Sequence, residues 1–103
     1  MGADRTEGRR RVSDEVSREV AIRNMRGLHA RAAAKFCDMA ADFASEITVT
    51  KDDTTVGGCS LMALLMLGAG IGTSITVAAK GPDAEEAVSA LAALIENRFD
   101  EAQ

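Results

Sequence analysis

Three stretches of this chain alternate apolar and polar residues with a period of two, and the stretches between them repeat their apolar residues every three or four positions. Period two belongs to a strand with one buried face, and the longer period to a helix lying on a core. In the first stretch, Val16, Val20 and Ile22 share one face, and Ser17, Glu19 and Ala21 share the other. From Glu46 to Lys51, Ile47 and Val49 oppose Thr48 and Thr50; from Ser74 to Lys80, Ile75, Val77 and Ala79 form the apolar side. Asp52-Asp53 is a turn pair, so Thr54 to Val56 is expected to return as a hairpin partner. Between the strands, the spacing predicts a helix from Ala30 to about Ala44, with Ala33, Phe36, Cys37, Ala40 and Phe43 on one stripe. Gly57-Gly58 breaks the hairpin, and Ser60 is a natural N-cap for a short helix from Leu61 to Leu67. Gly68 to Gly72 is a glycine-rich loop. Gly81-Pro82-Asp83 ends the fourth strand and opens a last helix, where Asp83, Glu85 and Glu86 complement the positive end. Its buried stripe is Ala87, Val88, Leu91, Leu94, Ile95 and either Arg98 or Phe99, and Asp100 to Gln103 is expected to fray. The order β-α-β-β-α-β-α implies a two-layer α/β (α+β) open-faced sandwich: a mainly antiparallel four-stranded sheet with three helices on one face.

Composition narrows what such a fold can do. A chain of 103 residues makes one domain with a modest core. The domain is expected over residues 16–103. Residues 1–15 are charged, carry Arg9-Arg10-Arg11 and have no apolar period, so they are expected to form a flexible polar tail. A net charge of −4, with three Phe and no Trp or Tyr, argues against nucleic-acid binding. Cys37 and Cys59 are too few and too far apart in sequence for a disulfide scaffold or a metal site, and Cys37 falls on a core stripe. No apolar run reaches the roughly 18 residues of a membrane span and no secretory signal is visible, so a cytoplasmic protein without membrane insertion is expected.

The short helix after Ser60 is apolar nearly all round: Leu61, Met62, Leu64, Leu65, Met66 and Leu67. A short surface helix cannot turn all of these inward, so partial exposure is expected. Leu61, Met62, Leu65 and Met66 then form a patch suited to docking several partners, since methionine adapts its shape.

The one histidine, His29, follows a glycine loop and precedes a helix-forming run. Gly27, Ala30 and Ala32 would belong to the loop and helix start, where N–H groups lack intrahelical partners and the dipole is positive. An anion beside His29 would be held there and by Arg31. Without a second histidine a metal site is not expected, and no G-x-S-x-G elbow supports a hydrolase built on Ser60. Neutral imidazole can instead act as a nucleophile for phosphoryl transfer. No P-loop or other nucleotide site is present, so the phosphoryl group has to come from another protein, and the chain is not a stand-alone enzyme and needs no cofactor.

Gly27-Leu28-His29-Ala30-Arg31 resembles the active-site signature of HPr, the histidine phosphocarrier of the bacterial phosphotransferase system. Gly57-Gly58-Cys59-Ser60-Leu61 through Leu67 resembles the segment around that family's regulatory serine, at a matching distance from the histidine. Many members have proline where this chain has Ala32. The resemblance implies sheet order 1-4-2-3 and a monomer. It implies that His29 carries a phosphoryl group on Nδ1, taken from phospho-enzyme I and passed to a histidine of an enzyme IIA domain. It also implies that Ser60 is a target for an HPr kinase/phosphorylase, beside its reading as a helix cap. The apolar Leu-Leu-Met-Leu run and Ala32 look more like the regulatory, nitrogen-related branch than the sugar-uptake branch. The alternative is an HPr-like regulatory interaction module that no longer relays phosphate.

Overall fold

The computed structural model describes Glu15–Gln103; the polar tail expected over residues 1–15 lies outside these residues except for Glu15, which opens the first strand. The elements are β1 (Glu15–Ala21), α1 (Ala30–Ala40), β2 (Glu46–Lys51), β3 (Thr54–Gly57), α2 (Leu61–Met66), β4 (Ser74–Lys80) and α3 (Ala84–Glu96), followed by a 3₁₀ turn at Arg98–Asp100. The strands form one sheet in the order β1-β4-β2-β3, and every pairing is antiparallel. Both the element order and the sheet order agree with expectation.

The register aligns the apolar faces. Val20 lies opposite Ile75, Val77 opposite Val49, and Ala79 opposite both Val16 and Ile47. These residues face the helices, while Thr50, Thr76 and Glu19 line up on the open face. Arg18 shares the parity of Val16 and Val20 yet pairs with Glu96 at the end of α3, at 3.2 Å. A charge on the helix side of an edge strand discourages a further strand from adding there.

Against this sheet α1 buries Ala32, Ala33, Phe36 and Ala40, and α3 buries Ala84, Ala87, Val88, Leu91, Ala92, Leu94 and Ile95. Cys37 packs half-buried against the same core, and burial pushes its thiol up from the ordinary value. Phe36 and Phe99 are the largest fully buried side chains. Burying each contributes roughly 1.5–3 kcal/mol. Phe99, not Arg98, completes the stripe of the last helix.

Four local expectations change. First, α1 stops at Ala40, short of Ala44. Asp42 N–H and Phe43 N–H turn back to the carbonyls of Met39 and Ala40, and Asp83 captures the next two amides. The Asp83 carboxylate accepts from Ala44 N–H at 2.8 Å and Ser45 N–H at 2.9 Å, and also from the Ser45 hydroxyl. Second, although Asp83 occupies the N-cap position of α3, it makes no capping bond to that helix. Its side chain is spent on the α1–β2 connection. Third, α2 ends at Met66, with Leu67 as its C-cap. Fourth, the chain end does not fray. Arg98, Phe99 and Asp100 have φ of 58°, 53° and 66°, a left-handed run that costs roughly 1–2 kcal/mol per residue. It is held by the burial of Phe99, by Lys35 Nζ donating to the Phe99 carbonyl at 3.0 Å, and by Met25 N–H donating to the Gln103 carbonyl at 2.6 Å.

Asp83 gives a pH prediction. Hydrogen bonds from the Ser45 hydroxyl and Ala44 N–H hold its carboxyl below the ordinary value, outweighing desolvation. A carboxyl with a depressed folded pKa stabilises the fold above its unfolded pKa, and that stabilisation is lost as pH falls through the folded value. Asp83→Asn is therefore expected to melt below wild type at neutral pH, with the gap closing as acid protonates Asp83 in the wild type. Thermal melts of both proteins across the acid range test this; a gap that stays constant would show that the charge of Asp83 is not what the substitution removed.

Candidate functional site around His29

The site is assembled where two loops meet. After β1, Ile22 N–H donates to the Thr73 carbonyl at 2.8 Å, and Gly72 N–H returns a bond to the Ile22 carbonyl at 3.0 Å. Leu28, itself buried, donates its N–H to the Ala69 carbonyl at 2.9 Å. Gly27 turns the chain between these anchors with φ of 66°, and a Cβ there would sit 2.5 Å from the Ala69 carbonyl oxygen. His29 is thereby delivered to the N-cap of α1 in extended conformation.

The two ring nitrogens have different environments. Nδ1 accepts from Arg31 N–H at 3.3 Å, facing the first turn of the helix. Nε2 meets a carboxylate oxygen of Glu101, near the far end of the chain. A carboxylate only accepts, so Nε2 carries the ring proton and Nδ1 keeps its lone pair. The His29 side chain is 14% exposed, and the first-turn amides of Ala30, Arg31 and Ala32 have no carbonyl four residues back within the helix. This arrangement suits a nucleophilic nitrogen next to a place for an anion.

Around it, Arg31 is exposed and shares a groove with Arg26, Lys35, Asp100 and Glu101. Ala30 is exposed at the helix start, whereas the Ala32 side chain is fully buried in the core, so any part Ala32 takes in the site is through its backbone N–H. Lys35 lies 3.8 Å from Asp100.

The pattern of the sequence misses Glu101 and Asn24. Asn24 is fully buried, and its Nδ2 donates to the Gly27 carbonyl at 2.8 Å and to Glu101 Oε1 at 3.0 Å. Glu101 thus divides its two oxygens between Asn24 and His29. Burial would push the Glu101 carboxyl up, but the bonds from His29 and Asn24 and the charge of Arg26 hold it below its ordinary value. An asparagine three residues before a glycine reads as an ordinary loop residue, and Glu101 sits in a polar stretch with no period, so neither carried a signal.

Ser60 stands at the N-cap position of α2, but its hydroxyl makes no capping bond and the residue is exposed. The expected cap role is therefore not realised by the side chain. Of the apolar patch, Met62 is 69% and Met66 82% exposed, and Leu61 is also exposed. Leu65 is half-buried and packs against the core, while Leu64 is the buried anchor. Met25 and Ile71 add exposed apolar surface on the two loops that hold His29. Among the described residues, no group of three or more His, Cys, Asp or Glu is placed to hold a metal, and no helix is long and apolar enough to cross a membrane.

The model of the family described as the PTS HPr component phosphorylation site matches residues 16–97. The phosphocarrier protein HPr of Cupriavidus necator is 43% identical over 88 residues, covering 85% of this chain and 99% of its own. The phosphocarrier protein NPr of Shewanella violacea is also 43% identical over 88 residues, covering 85% of this chain and 97% of its own. Among solved structures, HPr-C-His from Thermoanaerobacter tengcongensis superposes with a TM-score of 0.82 at 41% identity, over 85% of this chain and 99% of that one. With a family model spanning most of the chain and full-length relatives at this identity, on the same sheet order and with the signature around His29 in place, this chain belongs to the HPr family of the phosphotransferase system.

Proposed function

We propose that this protein is a phosphocarrier that accepts a phosphoryl group on His29 Nδ1 from phospho-enzyme I and passes it to a histidine of an enzyme IIA domain. The observation that carries this reading is the division of the imidazole: Nε2–H is covered by Glu101, and the Nδ1 lone pair faces the start of α1. In the transfer, that lone pair forms a bond to phosphorus while the N–P bond of the donor histidine breaks and its electron pair returns to the donor ring. The three phosphoryl oxygens are drawn to the first-turn amides and to the Arg31 guanidinium, which neutralise charge without forming covalent bonds. The second transfer repeats the step with His29 as donor. This reading puts the protein in the cytoplasm and its domain at residues 16–103, with residues 1–15 outside the relay.

The test is incubation with phosphoenolpyruvate, Mg²⁺ and enzyme I, followed by intact mass. A gain of one acid-labile phosphoryl group is expected. No gain with either sugar-type or nitrogen-type enzyme I would sink the reading.

Docking is assigned to Leu61, Met62, Leu65 and Met66, and Ser60 to control of that docking by an HPr kinase/phosphorylase. Support comes from an exposed Ser60 whose side chain makes no capping bond, beside exposed Leu61, Met62 and Met66. A phosphate or carboxylate there would have to be desolvated when the apolar patch is covered. Ser60→Asp is therefore expected to raise the KM for enzyme I by roughly tenfold, which is about 1.4 kcal/mol, with little change in kcat. An unchanged KM would remove Ser60 from the docking surface.

A further inference from the structure

We infer that Glu101 is a positioning residue for the phosphoryl step, holding the proton on His29 Nε2 and balancing the positive charge that the ring acquires when Nδ1 binds phosphorus. This rests on the phosphocarrier reading above. Neutral imidazole with a proton on Nε2 becomes, once Nδ1 is bonded to phosphorus, a ring that shares a positive charge between its nitrogens. The donor ring loses the same charge as its N–P bond breaks, so the charge moves between rings and no proton has to be released. A carboxylate already hydrogen-bonded to Nε2–H therefore favours the product side without any movement of its own.

The fold gives Glu101 unusual support for a residue so near a chain end. It is 72 positions from His29 in sequence. Its other oxygen is held by Asn24, a fully buried side chain that also fixes the Gly27 carbonyl. The approach is fixed by the left-handed run at Arg98, Phe99 and Asp100, the burial of Phe99, and the bond from Met25 N–H to the Gln103 carbonyl. Asn24 orients Glu101, and Glu101 orients the ring. The carboxylate sits on the opposite ring edge from Nδ1, leaving that nitrogen open to a donor.

Single-turnover transfer from phospho-enzyme I should be measured for wild type, Glu101→Ala, Glu101→Gln and Glu101→Asp, with ¹⁵N spectra of the imidazole. Glu101→Ala is expected to slow transfer by about tenfold or more, the value of one charge-assisted hydrogen bond, with KM for enzyme I unchanged. Its ring is expected to lose the defined Nε2–H state. Glu101→Gln keeps an acceptor without the charge, so it should hold the tautomer yet remain slow. Glu101→Asp keeps the charge and should recover part of the rate, which a general loss of folding would not allow. Transfer by Glu101→Ala at the wild-type rate would overturn the inference while leaving the phosphocarrier reading intact. Wild type that takes no phosphoryl group would overturn both.

Discussion

His29→Ala is expected to take up no acid-labile phosphoryl group from phospho-enzyme I, while still melting as a folded protein. The loss should be complete because the substitution removes the nucleophilic nitrogen itself and no second histidine exists to replace it. Folding should survive. The side chain gives up one long capping bond, from Arg31 N–H at 3.3 Å, and its contact with Glu101. Loss of a capping side chain costs about 0.5–2 kcal/mol, against a stability of roughly 5–15 kcal/mol for a domain. Glu101 would keep its bond from Asn24. Intact mass before and after mild acid, beside a thermal melt, separates the outcomes. Uptake that persists in the variant and withstands acid would point to a phosphoester such as one on Ser60; acid-labile uptake that persists would remove His29 as the acceptor.

Gly27→Ala is expected to be among the most damaging single-methyl additions in this fold. The residue has φ of 66°, and the new Cβ would lie 2.5 Å from the Ala69 carbonyl oxygen and 2.8 Å from the Gly70 Cα. Both obstacles are backbone and cannot rotate away. Left-handed backbone costs alanine roughly 1–2 kcal/mol, and overpacking adds about 1–3 kcal/mol. Relief would require parting the two loops, which breaks the bond from Leu28 N–H to Ala69 and moves His29 off the helix start. Gly70→Ala is the control, since a Cβ there meets nothing within 4 Å. Denaturant unfolding should show a large loss for Gly27→Ala and little for Gly70→Ala. Equal and small losses in both would mean that the loops can shift apart without cost.

The apolar alternation of Val16–Ile22, Glu46–Lys51 and Ser74–Lys80 determined where the strands lie, because one-residue slippage would turn each apolar face to water. The three-and-four spacing determined that helices cover one face. The solitary histidine after a glycine loop, with arginine two residues on, determined where the chemistry had to be sought. These signals are local, and local periodicity is what a linear sequence can carry. Ends of elements depended on more. The stop of α1 at Ala40 followed from Asp83, which lies forty-odd positions away and crosses to take the amides of Ala44 and Ser45. Ser60 had the residue type of a cap but makes no side-chain capping bond. The polar end of the chain looked unconstrained, yet burial of Phe99 and a left-handed turn bring Glu101 onto His29. The different surroundings of the two ring nitrogens come from that contact and from the bond between Arg31 N–H and Nδ1. A hydrogen bond between residues 72 positions apart leaves no period in the sequence; it exists because the sheet order and the packing of α1 against α3 bring the two ends of the domain together.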